Sequence, residues 1–536
     1  MLAVASVLSG LSPEGYGQAG PLCVVEQAKL GSGLSEDFGR SCSIDGTTCA
    51  VGAYGADHKG TSSGACYVFV RSGSTWSQQA LLLGSDGAAG DWLGLSVSLS
   101  GDTIAAGAPH HDIAFGDEGA VYVYKRTGTT WTQQAELIRP GGPIPQSEFG
   151  RSVALQADRL IVGSPEAQGF TPGSAHVFER SGSSWTFKKT LLATDGSPGN
   201  GVGWAVSLDG GSALVGSPVN SAAYVFVGAG INWTQQMKLV TSKGFSGDVF
   251  GTSVSISADA AVVGSTGDNV HGQASGSAYI FERIGVTWTE TAKLLPGDGE
   301  PQANFGRSVA LRDTIAVVGA YTKSDPELAS GAAYVFAKSG STWSEVDKLV
   351  PGDLAMQDLL GISVAYDGQN ILVGASFKDN GNGAAYVFAP GGLGQLYCTA
   401  KQNSCGILPS IGWTGGPSAS ASSGFVVHVD NAKAGKAGLL LCTDAGRGNA
   451  PFQGGILCLN SNPIKRTLAV FDTTGTPGQC DGVLAFDMNA FAAGALGGNP
   501  LASLSVPGTQ VNCQFWGRDT PGNALLSDAL EYFVCE

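Results

Sequence analysis

Acidic and imidazole side chains gather in a few glycine-rich stretches of this chain. A metal site, a calcium site or a pair of catalytic carboxylates would be built from these groups. Asp57 and His58 share one stretch (53–64). His110, His111, Asp112, Asp117 and Glu118 share the next (108–119), and Asp268, Asn269 and His271 a third (265–276). Asp325 and Glu327 lie in a fourth (320–331), and Asp379 and Asn380 in a fifth. A transition metal would need His58, His110 and His111 to bring ring nitrogens within a few ångströms of one point. Calcium takes about six to eight oxygen ligands. The runs Lys378-Asp379-Asn380-Gly381-Asn382-Gly383 and Gly267-Asp268-Asn269 offer oxygens on flexible backbone, which makes Asp268 and Asp379 the calcium candidates, although neither run has complete calcium-loop spacing. Glycoside hydrolysis needs two carboxylates at a defined separation, and an acidic surface supplies such pairs by composition alone. Solvated turns use the same Asp and Asn residues. The chain contains no Gly-x-Ser-x-Gly elbow, no His-Glu-x-x-His, no phosphate-cradling glycine loop and no Cys/His pair at catalytic spacing. No cofactor is expected beyond Ca²⁺.

These stretches recur because the chain repeats. Seven times between Phe38 and Phe388 an aromatic or aliphatic residue plus Gly leads into an alternating Ser/Val run, then a Gly-Ala or Gly-Ser pair, then a Tyr-Val-Phe-like run. Copies begin at Phe38, Leu93, Phe149, Val202, Phe250, Phe305 and Leu360, a spacing of 48 to 56 residues that suits one four-stranded unit. Period-2 alternation between turn residues predicts four antiparallel strands, A to D, in each copy. Trp76, Trp131, Trp185, Trp233, Trp288 and Trp343 mark strand D in six copies, and nothing after Phe388 supplies the seventh. Residues 24–30, Val-Val-Glu-Gln-Ala-Lys-Leu, align with Trp131 to Leu137, so an N-terminal strand within 22–30 is expected to complete the last blade and leave no free edge. The fold class is therefore all-β: a seven-bladed β-propeller followed by a small β-sandwich-like domain.

The pairing of Phe149-Gly150 with Gly163-Ser164-Pro165, repeated in phase, resembles the FG-GAP repeat of integrin α-subunit N-terminal propellers and their bacterial relatives. That resemblance implies an extracellular binding scaffold. Integrin-type copies often carry an Asp-x-Asp-x-Asp-Gly calcium loop between strands A and B. Here those links are too short and too poor in Asp, so that site carries over to no blade.

In a four-strand meander the A–B and C–D links fall on one face and the B–C and D–A links on the other. Nearly all the long, variable links belong to the second set, and they hold the acidic and histidine residues named above, together with Asp86, Asp91, Asp195, Asp298, Asp353 and Asp358. Variation confined to one face of a repeat scaffold is what a binding surface requires. Trp92 and Trp204, which break the repeat beside the Phe-Gly position, are further candidates to touch a ligand there.

At 536 residues the chain has room for this propeller and a second domain. Its 81 glycines and 14% charged residues suit a turn-rich β protein, and a net charge of −15 makes nucleic acid a poor partner. No apolar run reaches membrane-span length. Residues 1–20 read as a signal segment without its basic start, 21–390 as the propeller, 391–396 as a linker and 397–536 as the second domain. Cys42 and Cys49 flank the Asp45-Gly46 turn, which as a two-residue hairpin would set them directly opposite each other, and with Cys66 they are disulfide candidates that equally suit small buried core positions. Cys398, Cys405, Cys442, Cys458, Cys480, Cys513 and Cys535 suggest a stapled extracellular fold. A helix is expected at 484–495. The tail's opening (397–404) and closing (513–519) runs resemble a domain found at the ends of secreted bacterial proteins, which implies export and no chemistry.

The resulting expectation is a secreted or cell-surface, monomeric, non-enzymatic protein that binds a protein or glycan through its long-loop face. Alternatives are an extracellular polysaccharide hydrolase using loop-face carboxylates, or a purely structural surface protein.

Overall fold

The computed structural model describes residues 24–390 apart from 35, 74, 167–170, 243–246 and 325–326. It also describes 395–533 apart from 398–399, 402, 406–407, 415–424, 435, 446, 453–454, 460–463, 468–469, 472–478, 497–499, 501, 506–509 and 521–522. Asp325, Cys398, Cys535 and segment 1–20 lie outside the described residues. The chain forms two compact units, Glu26–Ala389 and a C-terminal unit from Pro390.

The first unit is seven four-stranded antiparallel sheets. Blade 1 is typical, with strand A at Ser41–Asp45, B at Thr48–Ala53, C at Ala65–Ser72 and D at Thr75–Leu82. Alternation places apolar residues such as Val97 and Leu99 of strand A inward, while strand B and the first five residues of strand C are buried because neighbouring blades cover both their faces. Strand A of every blade packs on strand A of the next, and that of blade 7 (Leu360–Tyr366) returns to that of blade 1, so the A strands line a central channel. Blade 7 takes its fourth strand from the other end of the chain: Val24–Leu30 pairs beside Ala384–Pro390. The expected ring closure is therefore present.

Glycine sets how closely the blades approach. The strand-B glycine of each blade lies against the Phe-Gly glycine of the next. A Cβ on Gly52, Gly107, Gly163, Gly216, Gly264, Gly319 or Gly374 would come 1.9–2.2 Å from that neighbour's carbonyl oxygen, closer than any real contact. The same carbonyl accepts a hydroxyl from strand A of the preceding blade at six junctions: Ser41 to Gly94, Ser96 to Gly150, Ser152 to Gly203, Ser253 to Gly306, Ser308 to Gly361 and Ser363 to Gly39, all at 2.8–2.9 Å. At the remaining junction strand A of blade 4 begins with Ala205, which has no hydroxyl to give. The Phe-Gly ring packs inside its own blade, as Phe305 does edge-on against Tyr334 (5.6 Å) and Phe336 (5.9 Å).

The strand-D tryptophans are structural. Trp131, Trp185 and Trp288 each donate Nε1–H to a glutamine of the preceding blade at 2.9–3.0 Å, while an arginine of strand C covers the ring. His176, in a strand-C tyrosine position, is buried between Ser174 and Thr190 hydroxyls, and desolvation pushes its pKa down to about 3.

Three cysteine expectations need correction. Cys42, Cys49 and Cys66 are free. The first hairpin turns at Gly46 and Thr47, with Gly46 at φ +59°, one residue later than a turn centred on Asp45-Gly46. Cys42 therefore faces Val51 and Cys49 faces Ile44, so the two sulfurs are not opposite each other. Burial pushes the Cys42 and Cys66 thiols up to about 12.

In the C-terminal unit, strands Gln395–Tyr397, Asn523–Phe533, Gln510–Thr520, Ala437–Thr443 and Lys465–Arg466 form one sheet, and Ser410–Thr414, Val426–Ala432 and Gly482–Asp487 a second. Phe425, Val427, Leu440, Phe486, Phe515 and Tyr532 from these elements share one core, a sandwich-like arrangement. The expected helix is shorter than 484–495. Leu484 belongs to a strand, and the helix runs Met488–Ala492 because Asp487 caps it by accepting from the Ala490 N–H. Cys405 and Cys480 form a disulfide, and Cys458 is also disulfide-bonded. Cys442 and Cys513 are unbridged, although the strand register sets them opposite each other with Sγ atoms 2.6 Å apart.

Two outcomes follow. Gly319→Ala drives a methyl into the Gly361 carbonyl and should destabilise by about 3 kcal/mol or more, whereas Gly340→Ala, at φ +60° in open space, costs about 1 kcal/mol; denaturant unfolding measures both. Alkylation with peptide mapping should find Cys49 and Cys66 unmodified in the native protein and fully modified in guanidinium. A Cys42–Cys49 bridge in that map would contradict the register.

Candidate functional site

In blades 1, 2, 5, 6 and 7 the B–C loop leaves a largely buried strand B and returns at the glycine before strand C. The return is closed by one backbone bond in the same place: Gly64 N–H to Ala56 O, Gly119 to His111, Gly276 to Asp268, Gly331 to Lys323 and Gly383 to Lys378, at 2.8–2.9 Å. The residue one further along closes the loop from within. Asp57 accepts the Ser62 N–H (2.7 Å), Asp112 that of Asp117 (2.8 Å) and Asn269 that of Ala274 (2.7 Å). These three build the loops. Glu118 does the same on a larger scale, being fully buried and accepting the N–H groups of Ile113, Ala114, Phe115 and Gly116 at 2.5–3.0 Å. Burial alone would raise its pKa, but these donors pull it below the usual carboxylate range.

The histidines do not converge as a trio. His58 Nε2 lies 3.0 Å from the Tyr67 hydroxyl and 3.2 Å from Glu36. His110 stacks on Trp92 with ring centroids 3.8 Å apart and faces Asp117 at 3.3 Å. His111 is buried, with Nδ1 3.1 Å from Asp91. Trp92, held at φ +59°, also meets Tyr54 edge-on, and Trp204 is covered by Arg151 at 4.2 Å, so both expected contact residues have protein neighbours on one side.

The calcium candidates both carry ammonium partners. Asp268 is buried and accepts from Ser277, Tyr279 and Lys293, the last at 2.6 Å; burial would raise its pKa, and these donors lower it. Asp379 lies 3.3 Å from both Lys29 and Lys378. Asp379 and the next residue, Asn380, are both left-handed (φ +54° and +61°), a strained pair of non-glycine residues that sits on a pocket of about 240 Å³. Met356, Phe377 and Asp358 line the same pocket.

Sequence reasoning missed the channel mouth. Strand A begins at the long-loop face, and the residue just after Phe-Gly sets what faces the channel there. In blades 1, 3 and 6 it is Arg40, Arg151 and Arg307. Desolvation and then Arg307 and Arg151 push the Arg40 guanidinium down to about 9, and Arg307 is lowered for the same reasons. Three arginines thus lie close enough to depress one another's charge in a chain whose net charge is −15, each packed over an aromatic ring of its own: Arg40 over Tyr54, Arg151 over Trp204 and Arg307 over Tyr321. The signal was legible as Phe-Gly-Arg in three copies of the repeat.

No curated protein matches the chain. Among solved structures, it resembles the WD40 repeats of RRP9 at 11% identity (TM-score 0.43, 69% of this chain and 98% of that one). It also resembles Sqt1 of Saccharomyces cerevisiae at 8% identity (TM-score 0.39, 95% and 99%). The FG-GAP repeat profile matches at 32–69, 76–124, 131–178, 185–226, 233–281, 288–336 and 343–388. Each match after the first starts on strand D of one blade and runs through strands A to C of the next, and together they cover more than half of the chain, which belongs to the FG-GAP repeat family.

Proposed function

We propose that this is a secreted or cell-surface binding protein, acting in adhesion or recognition, that docks a protein partner on its long-loop face. One observation carries the reading: where the exposed apolar side chains are. Ten large ones lie in B–C or D–A loops: Leu34, Ile113, Phe115, Leu192, Val219, Val240, Val270, Leu328, Met356 and Phe377. Among the described residues, only Ile231, Ile284 and Val286 lie on the hairpins of the other face. Phe115 and Val219 are each 71% exposed. Apolar side chains rimmed by carboxylates suit a protein interface, and the arginine-lined mouth at its centre suits an acidic side chain or acidic sugar of the partner.

A polysaccharide hydrolase would need two opposed carboxylates in a deep cleft. The two carboxylates that line the blade 7 pocket, Asp358 and Asp379, are each tied to Lys378 at 3.0 and 3.3 Å, which favours binding over hydrolysis. The absence of any helix among the described residues long and apolar enough to cross a membrane, and the Cys405–Cys480 disulfide, are compatible with export.

A protein and glycan array probed with the purified chain tests the reading. Phe115→Asp and Phe377→Asp should each weaken the captured interaction roughly tenfold or more. Binding that survives alanine replacement of both 108–119 and 265–276 would place the interface elsewhere. At the channel mouth, Arg40→Gln relieves like-charge repulsion and should raise stability by on the order of 1 kcal/mol. Sulfate should raise the melting temperature of the native chain more than that of the variant, measured calorimetrically against chloride at equal ionic strength.

A further inference from the structure

In four blades one corner of the long-loop face is built alike. The strand-C tyrosine gives its hydroxyl to a loop carboxylate, and a strand-D lysine crosses the ring to the same carboxylate. Tyr334 donates to Asp298 at 2.8 Å, and Lys348 lies 2.6 Å from Asp298 and 5.6 Å from the ring. Tyr386, Asp353 and Lys29 repeat this in blade 7, as do Tyr279, Asp268 and Lys293 in blade 5, and Lys238 pairs with Asp195 over Tyr224 in blade 4. Tyrosine and lysine face each other in the strand register.

Blade 2 keeps the tyrosine and the carboxylate, with Tyr122 donating to Asp86 Oδ1 at 2.7 Å. The residue facing Tyr122 is Glu136. A second carboxylate therefore stands where four other blades place an ammonium group. In the B–C loop, the position held by Lys323 and Lys378 in blades 6 and 7, where both are ion-paired, is taken by His111. Among the described residues, Asp86, Asp91 and Glu136 make no ion pair with lysine or arginine; Lys59 nearby gives its ammonium to the Ser85 carbonyl.

The geometry is that of ligands around a shared ion. His111 Nε2 lies 3.8 Å from Asp86 Oδ2 and 3.9 Å from Glu136 Oε1, and donor atoms of all three residues fall within 4.8 Å of one another. These separations are too long for hydrogen bonds, whereas donors about 2.0–2.2 Å from one tetrahedral ion stand roughly 3.4 Å apart. The other imidazole nitrogen, Nδ1, is 3.1 Å from Asp91, which is 3% exposed and itself held by the Ala88 N–H at 2.7 Å. Donation from Nδ1–H to Asp91 leaves the Nε2 lone pair aimed at Asp86 and Glu136, the carboxylate–histidine arrangement found behind metal ligands. Tyr122 occupies one oxygen of Asp86 and leaves the other for the ion. Asp86 and Glu136 are partly open to solvent, so an ion can enter and water can complete its shell.

We propose that Asp86, His111 and Glu136 bind a divalent transition-metal ion of the Zn²⁺ class. An imidazole and two carboxylates suit such an ion better than Ca²⁺, which takes oxygen ligands in larger number. The ion replaces in blade 2 the lysine of blades 4 to 7, and it ties the 108–119 loop to strand D and to the loop before blade 2.

Calorimetric titration of the untagged, chelator-treated full chain with Zn²⁺ should show one saturable site. Co²⁺ should give visible d–d absorption without sulfur charge-transfer bands, separating this site from the thiols. Glu136→Lys, which installs the residue of the other blades, and His111→Ala should each weaken binding tenfold or more, and Asp91→Asn roughly tenfold. Glu136→Lys should melt at or above the metal-free native temperature, so its loss of metal is not loss of fold. Stoichiometric binding unchanged in Glu136→Lys, or no saturable binding by the native chain, overturns the site. No partner is needed for any of these readings, so their failure leaves the docking face untouched.

Discussion

The contact on which the propeller depends is a backbone one: a strand-B glycine of one blade against the Phe-Gly carbonyl of the next, at a distance no Cβ could share. Because both sides are main chain, the spacing between blades does not vary with side-chain size. Seven equal junctions then bring the A strands to a closed ring. The serine hydroxyl that binds the same carbonyl satisfies an acceptor that the close approach would otherwise bury unpaired. Everything else in the repeat, including the buried aromatic of Phe-Gly and the tryptophan seam on the outer edge, fills space around that junction.

With the frame fixed by main chain, the long loops are free to differ, and they do so in charge as much as in length. Paired lysines neutralise blades 6 and 7, one lysine serves blades 4 and 5, and blade 2 presents three carboxylates around one histidine. The acidic rim and the arginine-lined mouth lie on one surface. A partner with both apolar contacts and a central anionic group would meet complementary chemistry across the whole face.

The fold was largely legible because the repeat repeats. Phe-Gly, Gly-Ala and the strand-D tryptophan sit at fixed offsets, and Val24 to Leu30 betrays its place by matching Trp131 to Leu137. The site was legible in part. Sequence placed His111, Asp112 and Glu118 on the right loop, yet Asp112 and Glu118 serve that loop's own backbone, and His111 finds its partners in Asp86, from the preceding interblade loop, and Glu136, on strand D. Those pairings depend on which positions face each other across two strands and a blade junction. Periodicity alone does not report that. The Cys42 and Cys49 register failed for a smaller reason: a turn that moves by one residue shifts the facing of its partners by two.

The closing strand also sets an order of events. Val24–Leu30 leaves the ribosome before any blade exists, and its pairing partner, Ala384–Pro390, is made more than three hundred residues later. Until then the N-terminal strand has nowhere to go, and once Ala384–Pro390 is made it is an unpaired edge until that strand docks, a contact of very high sequence separation that must form late. During that interval the nascent ring is open to pairing with the same strand of another copy, so the clasp that removes the edge from the finished molecule is also where assembly is most exposed to exchange between chains.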